Sequence, residues 1–235
     1  MWQVLSRPAG WDFGTLQQSR LYDVLMRLPM LMWAVFLGIV TFLGLQQYMR
    51  EADPGLPGAV YIVNIAMRAS VIAYLVVIAA TVAVRMRPAR KAHGIEPRIS
   101  ALIGTFLSTT FVLFPRRDLS MIAGLISALL TLCGNTFAVI VLTQLRGSFS
   151  IMAESRELVT AGAYRRVRHP LYLAEEIAAI GVVMQFFSLW TALILAVQIG
   201  FQLRRMRNEE VILAETFPEY LGYRARTARI LPSIY

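Results

Sequence analysis

Four long apolar runs, almost free of charge, set the fold class of this chain. They cover residues 28–48, 59–84, 99–115 and 119–145, and Arg68 is the one charged residue within them. A bilayer with a hydrocarbon core about 30 Å thick is crossed by about 20 apolar helical residues. Charged residues make up 16% of the 235 residues, against about a quarter in soluble domains. The runs therefore predict an all-α, polytopic integral membrane protein with four transmembrane helices.

A fifth apolar stretch, residues 171–203, does not fit a single transmembrane helix. As one straight helix it would be about 50 Å long, and two full spans need about 40 residues. Residues 185–188 supply a polar break near its middle, and Glu175 and Glu176 stand near its start. We therefore predict a C-terminal helical hairpin with arms at 171–186 and 189–216, whose second arm extends beyond the bilayer.

The net charge of +9 is concentrated in the connecting segments rather than on one helix face. Basic residues crowd residues 85–98, 146–168 and 204–229, whereas the link after the first run is nearly neutral. The positive-inside rule then places both termini and the C-terminal third in the cytoplasm. This pattern predicts contact with membrane lipids and excludes a nucleic-acid partner. It predicts the inner membrane in a bacterium, or the endoplasmic reticulum in a eukaryote.

The chain divides into an N-terminal transmembrane part, 1–145, and a C-terminal part, 146–235, that carries the chemistry. Cys133 is the only cysteine, so no thiolate metal site can be built. We predict that the protein holds no metal.

A cluster of charge stands at the entrance to the hairpin. Arg168 and His169 precede Pro170, which suits the first position of a helix because its missing N–H costs nothing there. A helix start carries free N–H groups and a partial positive charge that favour anions. Glu209 and Glu210 on the second arm return to the same side and can receive a cationic group. The sequence thus predicts an amphoteric pocket at the cytoplasmic membrane surface.

The residues of this pocket form a motif that resembles the isoprenylcysteine carboxyl methyltransferase family and its phospholipid and small-thiol methyltransferase relatives. The matching pattern is Arg165-x-x-Arg168-His169-Pro170-x-Tyr172, then Glu209-Glu210-x-x-Leu213-x-x-x-Phe217-x-x-Tyr220-x-x-Tyr223, and finally Arg229-x-x-Pro232. Glu175 and Glu176 have no counterpart in that pattern.

The resemblance implies a membrane-embedded methyltransferase that uses S-adenosyl-L-methionine. It implies a cytosolic cofactor pocket closed by the C-terminal segment, and a lipidic or prenylated acceptor that arrives from the bilayer. Carboxyl methylation of an isoprenylcysteine-like or other lipidic substrate is the expected reaction. Arg168 and His169 are the expected catalytic residues. The expected cofactor-binding residues are Tyr164, Arg168, His169, Pro170, Tyr172, Glu209, Glu210, Tyr220 and Tyr223.

Arg68 is a further candidate, because a charge inside a transmembrane segment is costly and marks a functional site by default. Asn64 lies one turn earlier on the same helical face. We predict that Arg68 is a catalytic residue on the substrate side of the pocket, with Glu175 or Glu176 as its nearest candidate partner.

Three alternatives stay open at the level of sequence. The acceptor class includes phospholipids and small thiols as well as carboxylates. A membrane reductase that uses NADPH is built on a similar hairpin, but it needs more spans than this chain supplies. A transporter usually shows paired halves, and no internal repeat is visible here. The sequence leaves the oligomeric state undetermined.

Overall fold

Long helices make up most of the computed structural model, which describes residues 27–51 and 53–232. Within these residues two short strands and three 3-10 segments connect the helices. The helices are α1 Leu28–Arg50, α2 Gly58–Ala83, α3 Glu96–Phe106, α4 Met121–Leu145, α5 Pro170–Gln185, α6 Leu189–Thr216 and α7 Tyr220–Arg226. The strands are β1 Arg90–Lys91 and β2 Glu154–Ser155, and the 3-10 segments are Leu107–Leu113, Arg146–Ser148 and Gly162–Arg165.

The described residues contain three helices that are long and apolar enough to cross a bilayer. They are Leu28–Arg50, Gly58–Ala83 and Met121–Ser148. Their exposed side chains are largely apolar, as lipid contact requires: in α1, Met32, Phe36 and Ile39 are each more than half exposed. The chain is an integral membrane protein.

The third predicted span has a different form from the other three. The α-helical hydrogen bonding of α3 ends at Phe106, and a 3-10 segment continues to Leu113. Thr109 and Thr110 donate side-chain hydrogen bonds to the carbonyls three residues earlier, at 2.6 and 2.7 Å, and such bonds compete with regular helix geometry. The two pieces together rise about 30 Å. A count of four transmembrane helices stays a prediction.

The predicted hairpin is confirmed, with arms α5 and α6 within one residue of the expected bounds. Ser188 begins the second arm through a capping box. Its hydroxyl accepts from the backbone N–H of Thr191 at 3.1 Å, and its own N–H donates to the Thr191 hydroxyl at 2.8 Å. The polar break in the sequence is therefore the turn that reverses the chain.

Helices α4 and α5 approach each other unusually closely, because glycines line their contact. A Cβ on Gly134 would lie 2.5 Å from the backbone nitrogen of Ala178 and 2.7 Å from the carbonyl oxygen of Ala174. A Cβ on Gly181 would lie 2.5 Å from the hydroxyl of Thr131. Small residues let membrane helices pack backbone to backbone, where lipid gives no hydrophobic drive.

The two hairpin arms pack on different neighbours. Arm α5 packs along α4, whereas α6 packs mainly against α3, and the arms contact each other at few backbone positions. Their turn contacts the 114–120 loop, where Arg117 donates from its backbone and its guanidinium to the carbonyls of Gln185 and Phe187, both at 2.8 Å. We call this the hairpin-tip end of the molecule.

The opposite end, which we call the site end, gathers the basic connecting segments. Strands β1 and β2 pair antiparallel there, with Arg90 opposite Ser155. The segment after α7 also folds back, because the backbone N–H groups of Arg168 and His169 donate to the carbonyls of Ala228 and Arg229 at 2.9 and 3.0 Å. Residues 1–26 and 233–235 lie outside the described residues, so the sidedness of both termini stays a prediction. The division of the chain at residue 145 also stays a prediction.

Candidate active site

One cavity at the site end brings together most of the predicted pocket residues. Seven of the predicted residues line it: Tyr164, Arg168, His169, Tyr172, Glu209, Tyr220 and Tyr223. Pro170 is buried at the first position of α5 and sets the direction of that helix.

Glu210 lies beneath the cavity wall and not on the wall itself. Its carboxylate accepts from Arg168 Nε at 3.0 Å and from Arg229 Nη2 at 2.7 Å, and its Oε1 lies 3.2 Å from Nε2 of His169. Only 3% of its surface is exposed. The sequence predicts that the helix start at His169 favours an anion and that Glu210 receives a cationic group, but the two side chains are in direct contact with each other. Arg229, in the segment after α7, binds the same carboxylate.

This contact fixes the tautomer of His169. Burial alone would raise the pKa of Glu210, but hydrogen bonds from His169 and Arg229 and the charge of Arg168 hold that pKa well below its usual range. An ionised carboxylate only accepts hydrogen bonds, so Nε2 of His169 carries the proton in this pair. Nδ1, which is unprotonated in this tautomer, is then the imidazole atom that can accept a hydrogen bond from a ligand in the cavity.

Glu209 supplies the negative charge on the cavity side. It accepts a short hydrogen bond from the hydroxyl of Tyr172 and pairs with Arg205 Nε at 3.3 Å. Arg205 is 2% exposed, and its guanidinium lies over the Tyr172 ring at 4.8 Å. The sequence reading missed Arg205. Its signal was the four-residue spacing to Glu209, which puts both on one helical face.

The three other tyrosines form the wall next to α7. Tyr223 donates to the carbonyl of Tyr164 at 2.6 Å and so attaches α7 to the 3-10 segment before α5. Burial raises the pKa of Tyr223 to about 12, so this hydroxyl stays a donor at neutral pH. Tyr220 is 1% exposed, and among the described residues its hydroxyl has no hydrogen-bond partner.

Arg68 is not part of this cavity. It lies 15 residues, or about 22 Å, before the site end of α2 and lines a separate groove with Arg116 and Gln185. Its guanidinium lies 4.1 Å from the centre of the Tyr48 ring and donates to the carbonyl of Asn64 at 3.1 Å.

The predicted partners of Arg68 were wrong. Glu175 accepts from Tyr74 at 3.0 Å and from Gln202 at 3.1 Å, and Glu176 accepts from Gln198 at 3.4 Å. These carboxylates turn toward α6 because polar side chains there, at four-residue spacing, face them. The sequence reading passed over Gln198 and Gln202 as part of an apolar run.

In the part of the chain that the structure describes, no three His, Cys, Asp or Glu side chains are grouped so as to hold a metal ion. The acids near His169 instead carry hydrogen bonds and ion pairs to arginine and tyrosine.

Comparison with known proteins agrees with the motif. Residues 125–215 match the model of the isoprenylcysteine carboxyl methyltransferase (ICMT) family. This range holds α5 and nearly all of α6, with His169, Glu209 and Glu210. The resemblance predicted from the sequence is confirmed.

Two curated relatives match a part of the chain. One is the nickel-cobalt-cadmium resistance protein NccN of Alcaligenes xylosoxydans xylosoxydans, 34% identical over 82 residues. The other is the cobalt-zinc-cadmium resistance protein CzcN of Cupriavidus metallidurans, 32% identical over 82 residues. In both cases the match covers 34% of this chain and 38% of the relative's length.

Proposed function

We propose that this chain is a membrane-embedded methyltransferase that uses S-adenosyl-L-methionine and acts on a lipidic acceptor. The observation that carries the proposal is the amphoteric cavity at the site end, whose lining includes Arg168, His169 and Glu209. The family match supports methyl transfer as the reaction class.

The cavity fits the chemical groups of this cofactor. A carboxylate suits the start of α5, where the helix N–H groups stand, and Nδ1 of His169 can accept a hydrogen bond from an ammonium or a hydroxyl. An ammonium or a ribose diol suits Glu209. The buried hydroxyl of Tyr220 has no hydrogen-bond partner among the described residues. A buried polar group is normally hydrogen-bonded, so this hydroxyl is available to a ligand or a water molecule. Tyr164 adds an aromatic side chain to the lining, and such a ring suits adenine or a cationic sulfur.

When bound, the sulfonium supplies a methyl group that an electron-rich atom takes in an in-line displacement. Such a reaction depends on position and exclusion of water more than on acid-base help. The residues of this chain provide the position: Glu210 and Arg229 hold Arg168 and His169 in place, and Tyr223 fixes the wall that closes the cavity. The lipidic acceptor would enter from the membrane side, between α5 and α6.

Calorimetry on detergent-purified protein tests the proposal. We expect S-adenosyl-L-methionine to bind and NADPH not to bind. Loss of one charge-assisted hydrogen bond costs about 1.5–3 kcal/mol, so His169→Ala and Glu209→Gln should each weaken cofactor binding at least tenfold.

Glu219→Gln is the matched control, because Glu219 is exposed and does not line the cavity. We expect it to bind the cofactor like the unmodified protein. Binding of NADPH instead would indicate a reductase, and binding of neither would remove the case for either enzyme.

A further inference from the structure

A second polar group of side chains lies between the hairpin arms, on the membrane side of the cavity. It consists of Glu175 and Glu176 on α5 and Gln198 and Gln202 on α6, which we call the carboxylate–amide cluster. Gln198 and Gln202 are 3% and 1% exposed. Glu175 and Glu176 begin about 8 Å along α5 from its start, so the cluster lies within the apolar part of the hairpin.

The hydrogen bonds of the cluster leave it short of donors. Each glutamine turns its NH2 group toward a carboxylate, Gln202 to Glu175 and Gln198 to Glu176. The reverse orientation would set a carbonyl against a carboxylate, so the amide assignment is fixed by the neighbouring acids. As a result, Oε1 of Gln198, Oε1 of Gln202 and Oε2 of Glu176 are buried without a donor among the described residues. Three buried acceptors without donors are an uncommon and costly arrangement.

The charges around the cluster, like its unpaired acceptors, favour a cationic ligand. Arg205 is the buried arginine between the cluster and the cavity, and it already pairs with Glu209. The carboxylates of Glu175 and Glu209 both interact with this one guanidinium, and Glu176 adds a further carboxylate beside Glu175. A ligand with N–H donors and a positive charge would donate hydrogen bonds to the three unpaired oxygens and would neutralise the excess negative charge.

The cluster is also next to the proposed methyl-transfer site. Glu175 is one turn after Tyr172 on α5, and Gln202 is one turn before Arg205 on α6. Tyr172 lines the cavity, and the Arg205 guanidinium lies over its ring. A small headgroup held by the cluster therefore lies beside the cavity, with its alkyl chains toward the bilayer.

We propose that the carboxylate–amide cluster is the acceptor subsite and that the acceptor is a membrane amphiphile whose reacting group is a protonated amine. This inference rests on the proposed methyltransferase function and narrows its substrate class. The ammonium donates its N–H groups to the free oxygens. One of its protons passes to a carboxylate of the cluster, which becomes a neutral carboxyl, and the amine keeps the lone pair that a methyl acceptor needs. A carboxylate or thiolate acceptor needs no such base and would be repelled by Glu175 and Glu176.

Binding of simple amphiphiles to the purified protein, without the cofactor, tests the subsite. The probes are dodecylamine, dodecanoate and dodecyltrimethylammonium, which share one chain and differ in headgroup, and native mass spectrometry reads the affinity. We expect dodecylamine to bind at least tenfold more tightly than either of the others. The double variant Glu175→Gln, Glu176→Gln keeps the side-chain size and should lose that preference. Glu51→Gln, at the far end of α1, is the control and should keep it.

Calorimetry with S-adenosyl-L-methionine on the same variants separates the two proposals. We expect the double variant to bind the cofactor as well as the unmodified protein, because neither carboxylate lines the cavity. If the cofactor binds but the three amphiphiles bind alike, or the double variant keeps the amine preference, the subsite assignment is wrong while the methyltransferase stands. If the amine preference is present and the cofactor does not bind, the proposed function is the part that fails.

Discussion

At the scale of single residues, Glu210 is the point at which the separate pieces of the site meet. It joins Arg168 and His169, which precede α5, to Arg229, which follows α7. The three partners come from segments 41, 42 and 19 residues away in the chain. Glu210 is therefore a positioning residue, since it acts on the cavity through His169 and Arg168.

The pKa of Glu210 gives a prediction for stability against pH. Because its folded-state pKa lies below the ordinary value of 4.5, ionised Glu210 stabilises the fold above that value, and the gain is lost as the pH falls below it. Glu210→Gln should lower the free energy of unfolding by about 1.5–3 kcal/mol at pH 7. The gap to the unmodified protein should shrink between pH 4.5 and pH 3, as followed by thermal unfolding in detergent.

Glu219→Gln is again the control, because it removes one carboxylate that is exposed. Its stability should track that of the unmodified protein across the same range. A gap for Glu210→Gln that stays constant down to pH 3 would show that the ion cluster contributes no ionisation-linked stability.

Most of the residues that line the cavity could be predicted from the sequence, whereas the contacts between their side chains could not. Motif spacing brought out His169, Tyr172 and Glu209, because functional side chains recur at fixed separations. It did not show that Arg229 reaches Glu210, a contact that the parallel pairing of Val167 with Ala228 brings about. A two-residue pairing of this kind leaves no periodic signal in the chain.

At the scale of helices, the contact of α4 with α5 sets the depth at which the hairpin sits. Gly134→Ala should displace α5, because the new Cβ would meet backbone atoms of Ala174 and Ala178 at 2.7 and 2.5 Å. Overpacking of this kind costs about 1–3 kcal/mol. The measurement is the midpoint of thermal unfolding in detergent, which should fall.

Gly124→Ala on the same helix is the matched control. A Cβ there would have no neighbour closer than 4.0 Å, and alanine favours helix more than glycine does. We expect an unchanged or higher midpoint for this variant. An equal gain for the two variants would mean that helix propensity, and not the close approach, governs the effect.

Length and polarity predicted the hairpin, because a 33-residue apolar stretch admits few other solutions. Apolar length alone was less informative for α3, where hydroxyl side chains of Thr109 and Thr110 turn the end of the run into a 3-10 segment. The facing of Gln198 toward Glu176 and of Gln202 toward Glu175 also went unpredicted. Such facing depends on the rotation of α6 about its own axis, which is set by its packing on α3.

At the scale of the whole molecule, charge separates the two ends. At the site end, the segment between α2 and α3 together with the first turn of α3 carries five basic residues and one acid: Arg85, Arg87, Arg90, Lys91, Arg98 and Glu96. At the hairpin-tip end, Arg116 and Arg117 donate hydrogen bonds to the turn between the hairpin arms, at Gln185 and Phe187. The positive-inside rule disfavours arginines at the non-cytoplasmic end. Because these two are bound to the turn, they contradict the rule less than two free arginines would.

This asymmetry predicts that the site end faces the cytoplasm, where a water-soluble cofactor is made available to the cavity. Single cysteines at Asp118 and Glu219, each in a Cys133→Ala background, report the two ends, because both native side chains are exposed. In intact cells a membrane-impermeant maleimide should label Asp118→Cys and leave Glu219→Cys unmodified until the membrane is opened. The reverse pattern would place the cavity outside the cell and would separate it from any cytoplasmic supply of cofactor. Labelling of both from one side would contradict the placement of the two ends on opposite sides of the membrane.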